Sequence, residues 1–388
     1  MKKILICLSD FRQGGIPRCL QTLLMNIDTN KYQIDLLCLS KDGPYNGKMP
    51  NCNILSNDYI ISQLMVHTKK ISITNFIKNI PALLLKIVGK LSYKLLKKDI
   101  LSIRLCSFGK KLNAYDCAIA YAEGFPALIV ENVKSDNKLL WIHNDYAFGG
   151  ARGGAQITNF ECFNKICCVS KATQNSLLSR YPQYKEKTIT LHNLINIDYI
   201  LNQANIPLTD HLFDSSYFVI ISIGRICAQK RFYEIPHIAN LLKQNNIKFK
   251  WYIIGNGQES EVKLVVDNIT KYNVENEIIL LGERDNPYNY LKHSNLFVLT
   301  SLYESYPTVI NEARVLGIPI VSVDIPPIFE MLNENEAVIT SLENIADAIL
   351  KLYYNKKLYY SLKSVPFENK NADILNSFYQ LISPINES

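Results

Sequence analysis

Short apolar runs of strand length alternate with segments of helical periodicity along this chain, and the alternation occurs twice. In the first stretch "KKILICLS", "YQIDLLCLS", "YDCAIAYAEG", "KLLWIHND", "KICCVS" and "TITLHN" read as strands. "CLQTLLMNI" and "KATQNSLLSRY" read as helices, the second with Ser170 as N-cap. Runs that are apolar throughout indicate strands covered on both faces, which argues for parallel sheets with crossover helices. Between His192 and Ser216 the periodicity fades, and "QANIPLTDHLFDSS" reads as an exposed connector. A second series then begins: strands "YFVIISIGR", "KFKWYIIGNG", "NEIILLGE", "NLFVLTS" and "IPIVSV", with helices "RFYEIPHIANLLKQ", "ESEVKLVVDNITKY", "NPYNYLKHS" and "PTVINEARVLG" between them. The expected architecture is α/β, with two Rossmann-like doubly wound parallel-sheet domains facing a cleft, residues 1–200 and 215–370. A terminal helix over 371–388 is expected to pack back toward the first. At 388 residues the chain exceeds what one core usually supports.

Open parallel sheets bind ligands at the carboxyl ends of their strands, so the loops there carry the functional candidates. Gly14 and Gly15 follow the first strand and precede a helix, which reads as a phosphate cradle or as a plain tight turn. "GNGQES" lacks the third glycine of the dinucleotide fingerprint and is discounted. His143 stands just past "KLLWI", as a structural histidine or a catalytic one. Arg225 and Lys230 lie on the loop that opens the second domain, where two cations converge on a diphosphate or stay solvated. In "TSLYESYPTVINEA" Glu304 follows a strand, Pro307 suits a first helical turn, and Glu312 sits about 7 Å further along at 1.5 Å per residue. The amides of Tyr306, Thr308 and Val309 form an expected anion site at that helix start, with Ser305 beside it. A carboxylate, a ring of amides and a second carboxylate match a sugar, a diphosphate and a ribose in that order.

Composition narrows the class. Hydrophobic residues are 48% and charged residues 20%, ordinary for a globular protein. No apolar stretch is long enough to span a membrane, and the first apolar run stops at Ser9-Asp10 without a cleavage site for a signal peptide. The ten cysteines form no C-x-x-C pair, and buried free thiols in a reducing compartment are expected. The net charge of +7 is uneven: residues 69–111 hold eleven Lys/Arg and one acid, Asp99. "IPALLLKIVGKLSYKLL" there is amphipathic, and reads as a contact for an anionic membrane surface or as a solvated helix. No nucleic-acid recognition motif accompanies it.

Several of these elements together resemble the retaining GT-B glycosyltransferases of family GT4. They are "GRICAQK", "IIGNGQE", "LGE" followed by "PYNYLKHSNLFVLTS", and the E-x7-E of Glu304 and Glu312 with "EARVLGIPIVSVD". They cover most of residues 220–325 in order. "AYAEGFPALI" and "WIHNDY" resemble the bacterial capsule and surface-polysaccharide branch. The resemblance implies that Arg225 and Lys230 bind a donor diphosphate, with Gly15 approaching from the other domain. It implies that Glu304 and His143 hold the transferred sugar, that Glu312 binds the ribose, and that the backbone at Glu283–Arg284 meets the nucleobase. Three departures stand out: Arg231 and Ser305 occupy positions where the family commonly has glycine, and "HNLIN" stands for the hinge "P-N-G-V-D".

The implied activity is transfer of a hexosyl or N-acetylhexosaminyl group from a nucleotide sugar, by family prior a UDP-sugar, to a saccharide acceptor that is lipid-linked. The implied setting is the cytoplasmic face of a membrane. No D-x-D occurs, so no metal and no cofactor is expected. The competing readings are a sugar-nucleotide epimerase of the same architecture, a nicotinamide-dependent oxidoreductase and a non-catalytic binding subunit.

Overall fold

A computed structural model describes residues 1–12, 14–56, 61, 100–147, 158–208, 213–214 and 216–383. Its strands form two sheets, parallel throughout. The first holds β1 (Lys2–Asp10), β2 (Tyr32–Ser40), β3 (Asn53–Ile54), β4 (Cys117–Ala120), β5 (Lys138–Ile142), β6 (Lys165–Cys168) and β7 (Thr188–Thr190), in the order β3-β2-β1-β4-β5-β6-β7. The second holds β8 (Phe218–Ile223), β9 (Phe249–Ile254), β10 (Ile278–Gly282), β11 (Leu296–Leu299), β12 (Ile320–Val323) and β13 (Val338–Thr340), in the order β10-β9-β8-β11-β12-β13. In each sheet the chain runs outward from a central strand to one edge, then returns to build the other side. The winding therefore reverses between β1 and β4, and again between β8 and β11. Those reversals open the crevices at which such sheets bind ligands.

The apolar runs are buried as their composition requires. Ile4 through Cys7 of β1 and Ile220–Ile221 of β8 are fully buried. Helix Ile235–Gln244 buries Ile235, Ile238, Ala239 and Leu242, the i, i+3, i+4, i+7 stripe of a helix facing a sheet. Pro236 falls in its first turn, where no amide bond is lost. Trp251 at the centre of the second sheet is fully buried. Its indole N–H donates to Ser222 Oγ at 3.1 Å, which donates to the Val298 carbonyl at 2.7 Å. Ser170 caps its helix, accepting from the Thr173 amide at 3.0 Å. Strands β3 and β13 escape a reading of the sequence: β3 is two exposed residues, and β13 is three part-buried residues at a sheet edge.

The chain divides into two units, residues 1–194 with 370–388, and residues 195–369. The expected connector starts with structure of its own. Asn196 caps helix Ile197–Ala204 by accepting from the Tyr199 amide, and Ile200 and Ala204 pack with Tyr288 of the second unit. Two buried positions in eight residues give too short a stripe to stand out in sequence. Helix Asn371–Ile382 belongs to the first unit: Tyr379 stacks on Tyr32 at 5.2 Å, and its hydroxyl accepts from the Asp28 amide at 2.8 Å.

Of the basic segment 69–111, residues 69–99 lie outside the described residues. Its remainder is helix Ile100–Lys111, whose Leu105 is fully buried in the first unit's core with Ile129 and Val130, while Lys110 and Lys111 are exposed. Among the described residues no helix is long and apolar enough to cross a membrane, and every described cysteine is a free thiol.

Candidate functional site

The second unit assembles most of the candidate residues at its switch point. The chain leaves β8 through Gly224 and Arg225 and makes a single turn at Ala228–Lys230. It leaves the neighbouring strand β11 through Thr300 and Ser301. The two exits are stitched together. The Leu302 amide donates to the Gln229 carbonyl at 2.7 Å, Gln229 Nε2 to the Tyr303 carbonyl at 2.9 Å, and Thr300 Oγ1 to the Lys230 carbonyl at 2.8 Å. Lys230 Nζ then reaches Glu304 Oε1 at 2.5 Å, and Ser301 Oγ donates to that same oxygen at 2.7 Å. The lysine side chain is 16% exposed and the carboxylate 9%, so this ion pair is largely withdrawn from water. A pair so placed is costly to break from one side, because the remaining charge stays buried.

The glycines of "IIGNGQ" answer to packing. The Gly224 amide donates to the Ile254 carbonyl and the Ile226 amide to the Asn256 carbonyl, each at 2.9 Å, drawing the β8 and β9 exits together. A Cβ at Gly255 would lie 1.8 Å from the Gly224 carbonyl oxygen, and one at Gly257 would lie 2.0 Å from that of Ile226. Glu261 Oε1 accepts from the Ala228 amide at 3.1 Å, tying in the turn that carries Lys230. Arg225 projects from this frame, exposed, with no hydrogen bond or ion pair to the described residues. It is a cation positioned by its backbone and open to an anionic ligand.

Past Glu304 the chain runs through Ser305 and Tyr306 to Pro307, the N-cap of helix Thr308–Val315. The helix begins a residue or two later than its sequence suggests, and its N-cap, Pro307, makes no side-chain cap hydrogen bond. Glu312 is 4% exposed, among Val309, Ile310 and Ala313 on the buried part of the helix. Arg284, just past β10, donates from Nε to the Tyr290 hydroxyl at 3.2 Å, which holds the Glu283–Arg284 corner against the unit. The two departures from the family pattern behave differently. Arg231 sits at φ +52°, in the left-handed region where a side chain is disfavoured. Ser305 is not among the described residues with positive φ, so nothing in its backbone calls for glycine.

Gly14, Gly15 and His143 lie in the first unit. Gly14 precedes helix Gly15–Asn26, and a Cβ at Gly15 would meet nothing within 4 Å, so packing does not require that glycine. His143 follows β5 with its ring 5.0 Å from that of Tyr121. Its Nε2 is buried without a hydrogen-bond partner among the described residues, and burial pulls the imidazole down to a pKa of about 3. At neutral pH it is an uncharged ring. Past the end of β4 stands Glu123, 6% exposed, accepting from the Tyr146 hydroxyl at 3.1 Å and from Asn144 Nδ2 at 3.3 Å. Burial pushes its carboxyl up to about 7, only partly opposed by these two neutral donors.

Thr300, Ser301, Gln229 and Glu123 escaped the sequence reading. Ser301 had a visible signal, a hydroxyl three residues before a carboxylate at a strand exit. Glu123 also had one, a lone acid closing an apolar run. Neither signal names a partner. Among the described residues no cluster of three potential metal ligands occurs.

Comparison with known proteins adds three findings. Residues 208–364 match the family model described as "Glycosyl transferases group 1". The chain is 33% identical over 195 residues to an uncharacterized glycosyltransferase of Methanocaldococcus jannaschii, covering 50% of this chain and 45% of that one. It is 34% identical over 104 residues to the Escherichia coli UDP-Gal:alpha-D-GlcNAc-diphosphoundecaprenol alpha-1,3-galactosyltransferase, covering 26% and 27%. The matched stretches thus span less than half the length of these curated relatives. Over 98% of both chains the structure resembles crystalline Anabaena HepE in complex with UDP and glucose, with a TM-score of 0.70 at 16% identity, a likeness of fold alone.

Proposed function

We propose, for a chain whose residues 208–364 belong to the group 1 glycosyltransferase family and whose two α/β units have the GT-B fold, that it is a retaining glycosyltransferase. It moves a hexosyl or N-acetylhexosaminyl group from a nucleotide sugar to a saccharide acceptor. A UDP-sugar donor and a lipid-linked acceptor in surface-polysaccharide synthesis accord with the E. coli relative, a galactosyltransferase acting on a diphosphoundecaprenol-linked sugar. The observation that carries the reading is the junction of Lys230 and Glu304 at the β8/β11 switch point, with Arg225 open beside it.

In this reading Arg225 and Lys230 take the donor diphosphate, helped by the amides of Thr308 and Val309 at the helix start. As the bond to the anomeric carbon breaks, charge grows on the leaving diphosphate, and these groups stabilise it without a metal. The leaving phosphate accepts the proton of the acceptor hydroxyl, so no side-chain base is required. Glu304 accepts from hydroxyls of the transferred sugar, Glu312 from the ribose, and Glu283–Arg284 meets the base. Neutral His143, with Gly14 and Gly15, serves the sugar and diphosphate from the first unit. The excess of cations in residues 69–111 favours binding to an anionic membrane surface on its cytoplasmic side.

A screen of UDP-, GDP- and ADP-sugars for thermal stabilisation and hydrolysis tests the donor. One UDP-sugar is expected to stabilise the wild type and to be cleaved, while Glu304→Ala and Arg225→Ala stay folded and lose cleavage. Near-wild-type turnover in either variant removes the site assignment. Donor conversion to an isomeric nucleotide sugar without acceptor replaces transfer with epimerisation. Lysine-to-glutamate changes in 69–111 are expected to release the protein from anionic liposomes, and unchanged co-sedimentation removes the membrane partner.

A further inference from the structure

Two donors converge on one oxygen of Glu304. Lys230 Nζ and Ser301 Oγ both bond Oε1, at 2.5 and 2.7 Å, and Oε2 has no partner among the described residues. The donors differ in what they can hold. An ammonium on a four-carbon stem reorients readily and is drawn to any polyanion that arrives. Ser301 is 1% exposed, on the loop stitched to the Lys230 turn, and its hydroxyl reaches the carboxylate through a single rotatable side-chain bond. When a diphosphate competes for Lys230, the serine alone keeps Oε1 in place.

We infer that Ser301 is a positioning residue: it anchors Glu304 through Oε1 while Lys230 turns to the donor diphosphate, and so presents Oε2 to the hydroxyls of the transferred sugar. This rests on the proposed role of Glu304. It adds a hand-over that the ligand-free ion pair alone does not contain. Ser301 itself touches no substrate, and its effect passes through the carboxylate.

The test has a structural arm and a kinetic arm. Wild type and Ser301→Ala are crystallised with inorganic pyrophosphate. In the wild type Lys230 is expected on the pyrophosphate with Glu304 still on Ser301, and in the variant Glu304 is expected to leave that position. A carboxylate that stays put in Ser301→Ala, or a lysine that ignores pyrophosphate, overturns the inference, and neither result depends on knowing the sugar. With the donor found by the nucleotide-sugar screen, Ser301→Ala is expected to lower kcat by about tenfold to a hundredfold, the scale of a misplaced reacting partner, while KM for the donor stays within about twofold. An unchanged kcat beside an inactive Glu304→Ala defeats the inference alone. Full activity in Glu304→Ala defeats the functional reading instead.

Discussion

The two sheets share one winding, yet their switch points are furnished in opposite ways. At β8/β11 a carboxylate meets a cation: Glu304 is bonded by Lys230, with Arg225 exposed nearby. At β1/β4 a carboxyl of similar burial, Glu123, has only neutral side-chain donors among the described residues, Tyr146 and Asn144, and the loop after β1 offers two glycines. Topology sets where a ligand can enter, and the residues at the strand exits set its charge. The second unit places an exposed cation, Arg225, at its strand exit. The first keeps a buried acid whose carboxyl is pushed up to about 7, and a buried histidine held uncharged at neutral pH.

Four experiments break or sharpen this contrast, and each unit reports for itself because each holds one of the chain's two tryptophans, Trp141 and Trp251. Gly255→Ala drives a methyl into the Gly224 carbonyl and should cost the second unit about 3 kcal/mol or more, seen as a lower urea midpoint at Trp251. Lys230→Met strands a buried carboxylate and should cost roughly 3 kcal/mol, most of it recovered when Glu304→Gln is added in the same chain. An uncoupled pair of losses would mean that the charges do not depend on each other.

The third experiment concerns pH. Glu123 titrates near 7 when folded and near 4.5 in the reference state, so between these values the folded chain holds the extra proton. Its contribution is therefore present below about pH 4.5 and lost as pH rises through 7, by roughly 3 kcal/mol in all. His143 acts in the opposite sense at lower pH. Kept neutral down to about 3, it withdraws stability as pH falls below 6.5. Glu123→Gln should remove only the first slope, so the difference between the two stability curves, followed at Trp141, isolates it. A flat difference would mean that folding does not raise the Glu123 carboxyl. Last and smallest, Arg231→Gly should stabilise the second unit by about 0.5–1 kcal/mol, since it relieves a left-handed side-chain residue but loosens the unfolded chain. The same change at Ser305 should bring no such gain.

The strands with continuous apolar runs were legible because burial on both faces writes itself into composition. So was the position of Arg225, Lys230 and Glu304 on loops just past strand ends, while the helix after Pro307 begins a residue or two later than read. What stayed hidden depends on atoms brought together from afar. Gly255 and Gly257 read as a broken nucleotide fingerprint, but they are set by carbonyls on another loop, some thirty residues earlier. Ser301 is an ordinary polar residue until Lys230, 74 positions before Glu304, joins it on one carboxylate oxygen, and Glu123 is one until a tyrosine 23 positions away donates to it. Arg231 looked like a lost glycine, and only its φ shows that the backbone kept the glycine's conformation.

The helix Asn371–Ile382 has a consequence for the order of assembly. Phe378 and Ile382 are each 1% exposed, and Phe378 lies 6.1 Å from the Trp141 ring, so the first unit's core is closed by residues translated after the whole of the second. At 5–20 residues per second the intervening 175 residues, 195 to 369, take a ribosome about 10–35 s. For that interval the amino-terminal unit lacks the helix that packs on Trp141 and Tyr32, and it receives that helix only after β13, the last strand of the second unit, has been made. The usual order of vectorial folding is reversed here: the half translated first is the half completed last.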